Sequence, residues 1–323
     1  MNRRQILGTA AAAMAGLAGP AAAQAGFHTR PLRIVVPFSA GGSTDILARI
    51  CAQLLTERLG QSVVAENITG AGGTIGAQRV LEAPADGYTL LAGTPGPITI
   101  NPQLRSVAYQ PLRDFEPVAF LGGSPAVVIV RKDSPIRSMR ELIAQAKASP
   151  GRLSYASAGV GSFAHLSAEL LKWRAGIDLT HVPYRGTAPA ATDLLGGRVD
   201  SMVENYPSVQ AYIASGDARV LAIGTARRST LLPEVPTVAE EGVGNYESFS
   251  WFGLLMRAGT PAAAIAAVNG AINQEVRSPE LGQRLAQLGV EPVGGTPAAF
   301  RAFLEAKTAE TGELIRTASI TVE

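Results

Sequence analysis

The sequence predicts an α/β protein with two lobes. Short apolar runs alternate with helical patterns along the whole chain, which is typical of parallel sheets flanked by helices. The chain has 323 residues, whereas a single hydrophobic core usually stops growing at about 250–300 residues. A strand, a glycine-rich loop and a helix follow one another in two separate regions, 33–60 and 153–176. We therefore expect each region to contribute to a lobe of its own.

The first region begins with an apolar run at 33–36, which predicts a buried strand. A loop at 37–42 follows, and from Ser43 apolar residues recur at helical spacing until Gly60 ends the helix. A second glycine loop at 70–73 leads into a predicted helix at 75–81. The further strands predicted for this lobe are 62–66 and 88–92.

The second region repeats the order of elements without repeating the sequence. A strand at 153–156, a loop at 157–161 and a helix at 162–173, ended by Gly176, are followed by a helix at 187–195. The further strands predicted here are 179–183 and 199–203.

Two segments are expected to cross between the lobes. One is 118–130, interrupted by Gly-Gly-Ser-Pro, and the other is 220–225, which leads into a proline-rich stretch at 232–236. Two crossings make one lobe discontinuous and predict a hinge. The expected division is residues 26–123 with 228–323 in lobe 1, and residues 124–227 in lobe 2.

Residues 1–25 have the features of a secretory signal peptide. Arg3 and Arg4 precede an Ala-rich apolar run that ends in Ala-x-Ala sites at Ala23 or Ala25. The run is rich in Ala and Gly and therefore unlike a membrane span. The mature protein is expected in the periplasm, and both the general and the twin-arginine export routes remain open.

Composition excludes several classes of function. Removing the signal peptide takes two arginines from 28 basic residues, which leaves 26 to match the 26 acidic residues. No basic run suggests a nucleic-acid partner. The single cysteine, Cys51, falls in a helical apolar pattern, and the chain has three histidines. We expect no disulfide, no metal site and no cofactor.

The two glycine-rich loops carry the candidate chemistry. Glycines allow a tight turn, and the first N–H groups of a helix are unpaired and partly positive, so that they stabilise an anion. The loop from Pro37 to Asp45 and the loop from Ser157 to Ser162 both have this composition, with hydroxyls at the predicted helix starts. Either loop alone fits an ordinary strand-to-helix connection equally well, but the pair favours a carboxylate clamp.

Polar residues near predicted strand ends extend the candidate site. Thr94 follows the strand at 88–92, and Glu204 with Asn205 follows the strand at 199–203, where they suit an amine or hydroxyl of a ligand. A surface loop explains Glu204 and Asn205 nearly as well. Asp45 is expected to cap its helix or complement the dipole, and His165 to pack.

Motifs for catalysis do not occur in the sequence. The glycines at 70–76 miss the spacing of a dinucleotide loop, and P-loop, zinc-protease and nucleophile-elbow patterns are absent. We therefore expect a binding protein and no enzyme.

Four stretches resemble the Bug receptors, the periplasmic solute-binding proteins of tripartite tricarboxylate transporters. The stretches are PLRIVVPFSAGGSTDILARI at 31–50, NITGAGGTIGAQRVLEAPADGYTLL at 67–91, LSYASAGVGSFAHLSAELL at 153–171 and HVPYRGTAPAATDLLGGRVDSMVEN at 181–205. LLPEVPTVAEEG at 231–242 also matches, so that the resemblance covers essentially the mature chain.

The resemblance implies a two-lobed periplasmic-binding-protein fold of the Venus-flytrap, type II-like form, with the ligand between the lobes. It further implies a small organic acid as ligand, membrane permease subunits as partners, and a monomer. The contacts implied by position are Phe38, Ala40, Gly42, Ser43, Thr44, Thr94, Ser157, Gly161, Ser162, Tyr184, Glu204 and Asn205. Tyr184, Glu204 and Asn205 belong to the far end of the ligand.

Three functions remain open on the sequence. The first is a receptor that delivers a mono- or dicarboxylate to a permease, and the second is a sensory module that presents its closed form to a signalling partner. The third is a hydrolase or isomerase on the same scaffold. Deleting the gene separates the first two, because a receptor is needed for uptake and a sensory module for induction of its target genes. Turnover of a bound acid identifies the third.

Overall fold

The computed structural model describes residues 29–321. The predicted signal peptide lies outside these residues. Within residues 29–321, every helix is too short or too polar to span a lipid bilayer.

The strands and helices alternate as the apolar patterns predict. The strands are β1 Leu32–Val36, β2 Val63–Asn67, β3 Thr89–Gly93, β4 Phe115–Arg131, β5 Ser154–Ser157, β6 Thr180–Pro183, β7 Ser201–Asn205, β8 Ala218–Ile223, β9 Phe249–Arg257 and β10 Glu291–Pro292. The α-helices are α1 Ser43–Leu59, α2 Thr74–Glu82, α3 Asn101–Leu104, α4 Pro111–Asp114, α5 Met139–Ala148, α6 Phe163–Ala175, α7 Thr187–Leu195, α8 Tyr206–Ala214, α9 Ala262–Val276, α10 Pro279–Gln287 and α11 Pro297–Thr317. A 3₁₀ turn at Ala71–Gly73 and a π-helix at Gly96–Ile100 complete the chain.

Strand β4 belongs to two sheets. The strands follow the order β2-β1-β3-β9-β4-β7-β5-β6, with β8 and β10 also paired to β4. The segment from Phe115 to Pro125 pairs antiparallel with β9, whereas the segment from Ala126 to Arg131 pairs with β7 and β8. The first sheet is therefore built on β1, β2, β3 and β9, and the second on β5, β6, β7 and β8.

The return crossing lies beside the point where β4 changes sheets. The Ala126 amide donates to the Ser248 carbonyl at 2.9 Å, the Gly224 amide to the Ala126 carbonyl at 2.8 Å, and the Ser248 amide to the Gly224 carbonyl at 2.8 Å. Three extended segments are thus joined edge to edge by backbone hydrogen bonds where β4 changes sheets.

Strand β4 continues through the Gly-Gly-Ser-Pro sequence, where the sequence predicted an interruption. Gly122 has a φ of 151°, and a Cβ atom there would collide with the carbonyl of Glu291. The short strand β10 pairs with β4 at Gly122 and Gly123. These glycines therefore admit a neighbouring backbone and do not end the strand.

Each sheet buries an apolar cluster on both faces. Leu55 and Ile34 are fully buried in one cluster of the first sheet, and Cys51, at 1% exposure, is packed with them as expected. Tyr155 and Leu142 lie in a cluster of the second sheet. The loop residues Val238, Val243 and Tyr246 are packed in that same second cluster.

Strand β7 ends two residues later than the sequence predicted. Asn205 pairs with Ala126 and Glu204 with Val127 of β4. A partner strand more than 75 residues away in sequence extends β7, so local patterns did not place its end. Glu204 and Asn205 are consequently held in a strand and are not part of a loop.

Candidate ligand-binding cleft

The first glycine-rich loop leaves unpaired amides at the start of helix α1. Gly42 precedes the helix with φ −79° and ψ 167°, and no side chain caps it. The Ser43 amide donates to Ser208 Oγ of the other lobe at 2.7 Å. Within residues 29–321 the amides of Gly42 and Thr44 have no partner. Because the helix dipole adds to these amides, this end of α1 attracts an anion.

Asp45 stabilises the first loop through hydrogen bonds, which agrees with the structural role expected for it. Its carboxylate accepts hydrogen bonds from the Gly41 amide, from Arg49 Nε at 3.0 Å and from Asn67 Nδ2 at 2.9 Å. Burial raises the pKa of Asp45, but hydrogen bonds from Arg49, Gly41 and Asn67 outweigh burial and hold this pKa below its usual value. The negative charge of Asp45 is therefore paired with donors of the protein itself.

The second glycine-rich loop leaves unpaired amides at the start of helix α6. Ser162 caps the helix by accepting from the His165 amide at 3.2 Å. The amides of Phe163 and Ala164 have no partner within residues 29–321. The Gly161 amide, in contrast, donates to His165 Nδ1 at 3.3 Å. The amides available to a ligand are therefore those just inside the helix and not that of Gly161.

Ser157 supports this loop through a histidine. Its Oγ accepts from the Gly159 amide at 3.1 Å and lies 2.6 Å from His181 Nε2. The His181 ring is stacked on Tyr155 and on His165, with centroid distances of 4.7 and 4.5 Å. Burial, together with His165 and Lys172, lowers the pKa of His181 to about 3. A neutral imidazole thus fixes Ser157, which leaves this hydroxyl a positioning role.

The two helix starts face one cavity between the lobes. It encloses about 370 Å³ of space not filled by atoms, open solvent at its mouth included. Of the described residues that line it, none is Lys, Arg or His. The lining residues are Phe38, Gly42, Ser43, Thr44, Thr94, Ala158, Ser162, Phe163, Ala164, Thr187, Glu204, Asn205, Ser250 and Phe252.

Glu204 is the one ionisable side chain among these lining residues. It is 1% exposed. Its Oε2 accepts from Thr187 Oγ1 at 2.8 Å, and its Oε1 accepts from the Asn205 amide and from Asn205 Nδ2 at 2.8 and 2.9 Å. Burial raises the pKa of Glu204 to about 6, although these three hydrogen bonds oppose the shift. The cavity therefore has an acidic end without a neutralising cation.

Within residues 29–321, three fully buried polar atoms on cavity-lining residues lack hydrogen-bond partners. They are Thr94 Oγ1, Ser250 Oγ and Asn205 Oδ1, all of them buried. A buried polar atom without a partner costs about 1–3 kcal/mol, and buried groups of native proteins are almost always paired. These atoms are therefore suited to contact a polar ligand.

Eight of the twelve residues predicted for the site line the cavity. They are Phe38, Gly42, Ser43, Thr44, Thr94, Ser162, Glu204 and Asn205. The sequence resemblance placed them near one another, and the fold brings them together from both lobes. Their contact with a ligand stays a prediction.

Four predicted residues lie outside the cavity lining. Ala40 is exposed to solvent, and Ser157 and Gly161 support the second loop through His181 and His165. Tyr184 lines a neighbouring cavity, and its hydroxyl donates to Asp193 Oδ2 at 2.7 Å.

Sequence reasoning missed six lining residues. Thr187 begins a helix directly after Gly186, a signal that a search for helix starts detects. Phe163 and Ala164 follow the predicted cap Ser162, so their amides were foreseeable. No local signal marks Ser250, because it reaches the cavity only through the pairing of β9 with β4. The missed residues are Ala158, Phe163, Ala164, Thr187, Ser250 and Phe252.

Residues 47–320 match the family model described as tripartite tricarboxylate transporter family receptor. The chain belongs to this family of receptors. BugT of Bordetella pertussis (strain Tohama I) is 40% identical over 294 residues, which is 90% of each chain. The predicted resemblance to the Bug receptors is therefore confirmed.

Solved structures of similar proteins confirm the fold of this receptor. Rpa4515 of R. palustris, solved with adipate, is 39% identical with a TM-score of 0.88, covering 91% of this chain and 98% of its own. MatC of Rhodopseudomonas palustris, solved with bound malate, is 31% identical with a TM-score of 0.85, covering 89% and 99%. The α/β, two-lobed periplasmic-binding-protein fold expected from the sequence is thus correct.

The raised pKa of Glu204 predicts a stability that falls with pH. The folded protein holds this proton more tightly than the unfolded chain, so the stabilisation is complete below pH 4.5 and is lost as the pH rises through about 6. This difference in pKa corresponds to about 2 kcal/mol. In Glu204→Gln the amide oxygen can accept from Asn205 and the NH₂ group can donate to Thr187. We therefore expect ligand-free Glu204→Gln to gain about 2 kcal/mol on wild type between pH 4.5 and 8.

Urea unfolding of both proteins across this pH range measures the difference, in which other titrating groups cancel. Glu234→Gln, at an exposed position, is the matched control and should follow wild type. Parallel curves for wild type and Glu204→Gln would show that Glu204 titrates as an ordinary carboxyl.

Proposed function

We propose that this receptor binds a small carboxylate between its lobes and delivers it to a membrane transporter. The observation that carries the proposal is the pair of helix starts, α1 from one lobe and α6 from the other, whose unpaired amides line one cavity. A carboxylate there accepts hydrogen bonds from both lobes without any Lys or Arg. Relatives solved with adipate and malate, both carboxylates, support this choice.

We propose that the ligand closes the lobes by a hinge motion. Hydrogen bonds already join the lobes: the Ser43 amide donates to Ser208 Oγ, and Gln210 Nε2 donates to the Gln287 carbonyl at 2.8 Å. A ligand that accepts from both helix starts favours this closed arrangement over an open one. The binding energy of the carboxylate is thereby coupled to the shape that a transporter recognises.

We propose residues 26–123 with 228–323 as one lobe and residues 124–227 as the other. The packing of Val238, Val243 and Tyr246 in the cluster of the second sheet supports one refinement. We therefore propose that the stretch containing these residues belongs to the second lobe, which shifts the proposed return crossing from residue 228 to the start of β9.

The proposed setting is the periplasm. Residues 1–25 act as an export signal that is removed, the mature chain works as a monomer, and the permease subunits of a tripartite tricarboxylate transporter receive the ligand. Catalysis forms no part of this proposal.

A thermal-shift screen of organic, amino and aromatic acids tests the carboxylate assignment. We expect at least one acid to raise the unfolding temperature of protein freed of bound molecules by unfolding and refolding, because a ligand that binds only the folded state stabilises it. Esters or amides that lack the carboxylate but keep the rest of the acid should have no effect. If no acid raises the unfolding temperature, the carboxylate assignment is wrong.

Gly42→Val is expected to abolish binding of the stabilising acid while the fold survives. The backbone of Gly42 is extended, which suits a β-branched residue, and a Cβ atom would lie 3.6 Å from Thr187 Oγ1. The two methyl groups that valine carries on Cβ would occupy the cavity between the lobes. Isothermal titration measures the affinity.

The matched control for Gly42→Val is Ala40→Val in the same loop. Ala40 is exposed and does not line the cavity, so its variant should bind as wild type does. Equal affinity of both variants and wild type would place the ligand elsewhere.

Asn101→Ala is expected to weaken binding of the same acid about tenfold. This corresponds to a loss of about 1.4 kcal/mol in the free energy that favours the closed state. Asn101 is fully buried, and its Nδ2 donates to the Gly161 carbonyl of the other lobe at 2.9 Å, as well as to the carbonyls of Gly72 and Gly96. Alanine leaves the Gly161 carbonyl without this donor in the closed state.

Asn269→Ala provides the comparison for this variant. Asn269 Nδ2 also donates to two backbone carbonyls, those of Val118 and Gly295, but both lie in the first lobe. Unfolding in urea should show lower stability for both variants, and titration should show weaker binding for Asn101→Ala alone. An equal loss of affinity in both would assign the effect of Asn101 to general destabilisation.

A further inference from the structure

The acidic end of the cavity is built to accept hydrogen bonds. Glu204 Oε1 already accepts two hydrogen bonds from Asn205, whereas Oε2 accepts one, from Thr187 Oγ1 at 2.8 Å. A carboxylate oxygen accepts two hydrogen bonds readily. Oε2 therefore has capacity for a further donor.

The amide of Asn205 has one possible orientation. Its Nδ2 donates to Glu204 Oε1 at 2.9 Å, and turning the amide over would place Oδ1 against the carboxylate of Glu204. Oδ1 is buried without a partner in the observed orientation. The residue lines the cavity, so a ligand that donates to Oδ1 removes the cost of leaving it unpaired.

Several donors at this end are already directed at Glu204. They are the Asn205 backbone amide, one N–H of Asn205 Nδ2 and the Thr187 hydroxyl. Of the described residues that line the cavity, none is cationic. A second carboxylate beside Glu204 would place two like charges in a site of low dielectric constant, where repulsion is strong.

Two fully buried hydroxyls that have no partner among the described residues do not discriminate between ligands. Thr94 Oγ1 and Ser250 Oγ each donate or accept, so either suits a carboxylate oxygen as well as an N–H group. Discrimination therefore depends on the Glu204 carboxylate and on Asn205 Oδ1, which accept hydrogen bonds and cannot donate them.

We infer that the ligand has a single carboxylate and, at its far end, a hydrogen-bond donor without negative charge. The carboxylate lies at the starts of α1 and α6, and the donor is received by Glu204 and by Asn205 Oδ1. An ammonium group fits best, because it offsets the charge of Glu204, and a primary amide or a hydroxyl fits less strongly. The inference rests on the proposed carboxylate receptor and narrows its ligand class.

A series of acids that differ only at the far end tests this inference on the wild-type chain. The four-carbon set is 4-aminobutanoate, succinamate, 4-hydroxybutanoate, butanoate and succinate, and the five- and six-carbon homologues complete it, adipate among them. Titration at pH 8 keeps the carboxylates ionised. At the chain length that binds best, the amine-ended acid should bind at least tenfold tighter than the methyl-ended and carboxylate-ended acids.

The outcomes distinguish this inference from the proposed function. If the dicarboxylate or the methyl-ended acid binds tightest at the best length, the receptor function stands and the inference is wrong. If neither this series nor the acids of the thermal-shift screen bind, the carboxylate function itself fails and the inference falls with it.

Glu204→Gln supplies a second test that locates the discrimination. Removing the charge should narrow the gap between the amine-ended and the carboxylate-ended acid at least tenfold, through weaker binding of the amine and tighter binding of the dicarboxylate. Glu234→Gln, the exposed charge-matched control, should leave the gap as in wild type. An unchanged gap in Glu204→Gln, with an unfolding curve that shows a folded protein, would overturn the assignment to Glu204.

Discussion

Unpaired backbone amides at two helix starts are the constraint on which the rest of this structure depends. Such amides bind an anion only where a helix begins at the cavity, and one helix offers only a few. Helix α1 follows strand β1 of the first sheet, and helix α6 follows strand β5 of the second sheet. The carboxyl ends of these strands must therefore face one cleft. Strand β4 makes this possible, because its two halves belong to different sheets. The proposed binding by both helix starts therefore requires the two-sheet architecture.

Close approach of the lobes imposes a second requirement, for residues without side chains. A Cβ atom at Gly72 would collide with the carbonyl of Val160, and one at Gly161 would collide with Asn101 Oδ1. Both glycines also have positive φ, at 63° and 75°. They serve the contact between lobes behind the cavity, whereas the amides that face the cavity belong to the first residues of the helices. Glycine-rich composition thus has two distinct uses in these loops.

Glu204 introduces an opposing charge into a cleft that attracts anions. Its three hydrogen bonds from Thr187 and Asn205 stabilise the ionised form, but burial still raises its pKa to about 6. A buried charge of this kind costs stability unless it is paired, and no cation lines the cavity within the described chain. In the proposed function, the amides of the helix starts bind the carboxylate, and Glu204 with Asn205 decides which carboxylates fit.

The sequence by itself determined the fold class, the positions of the two strand–loop–helix units, and the presence of Gly42, Ser162 and Glu204 in a common site. These features follow from local periodicity, from helix starts and from motifs that resemble a known family. The tertiary structure alone decided that Ser250 reaches the cavity and that Ser157 supports a loop through His181. Strand pairing and side-chain hydrogen bonds between residues distant in sequence have no local signature, so only the folded chain reveals them.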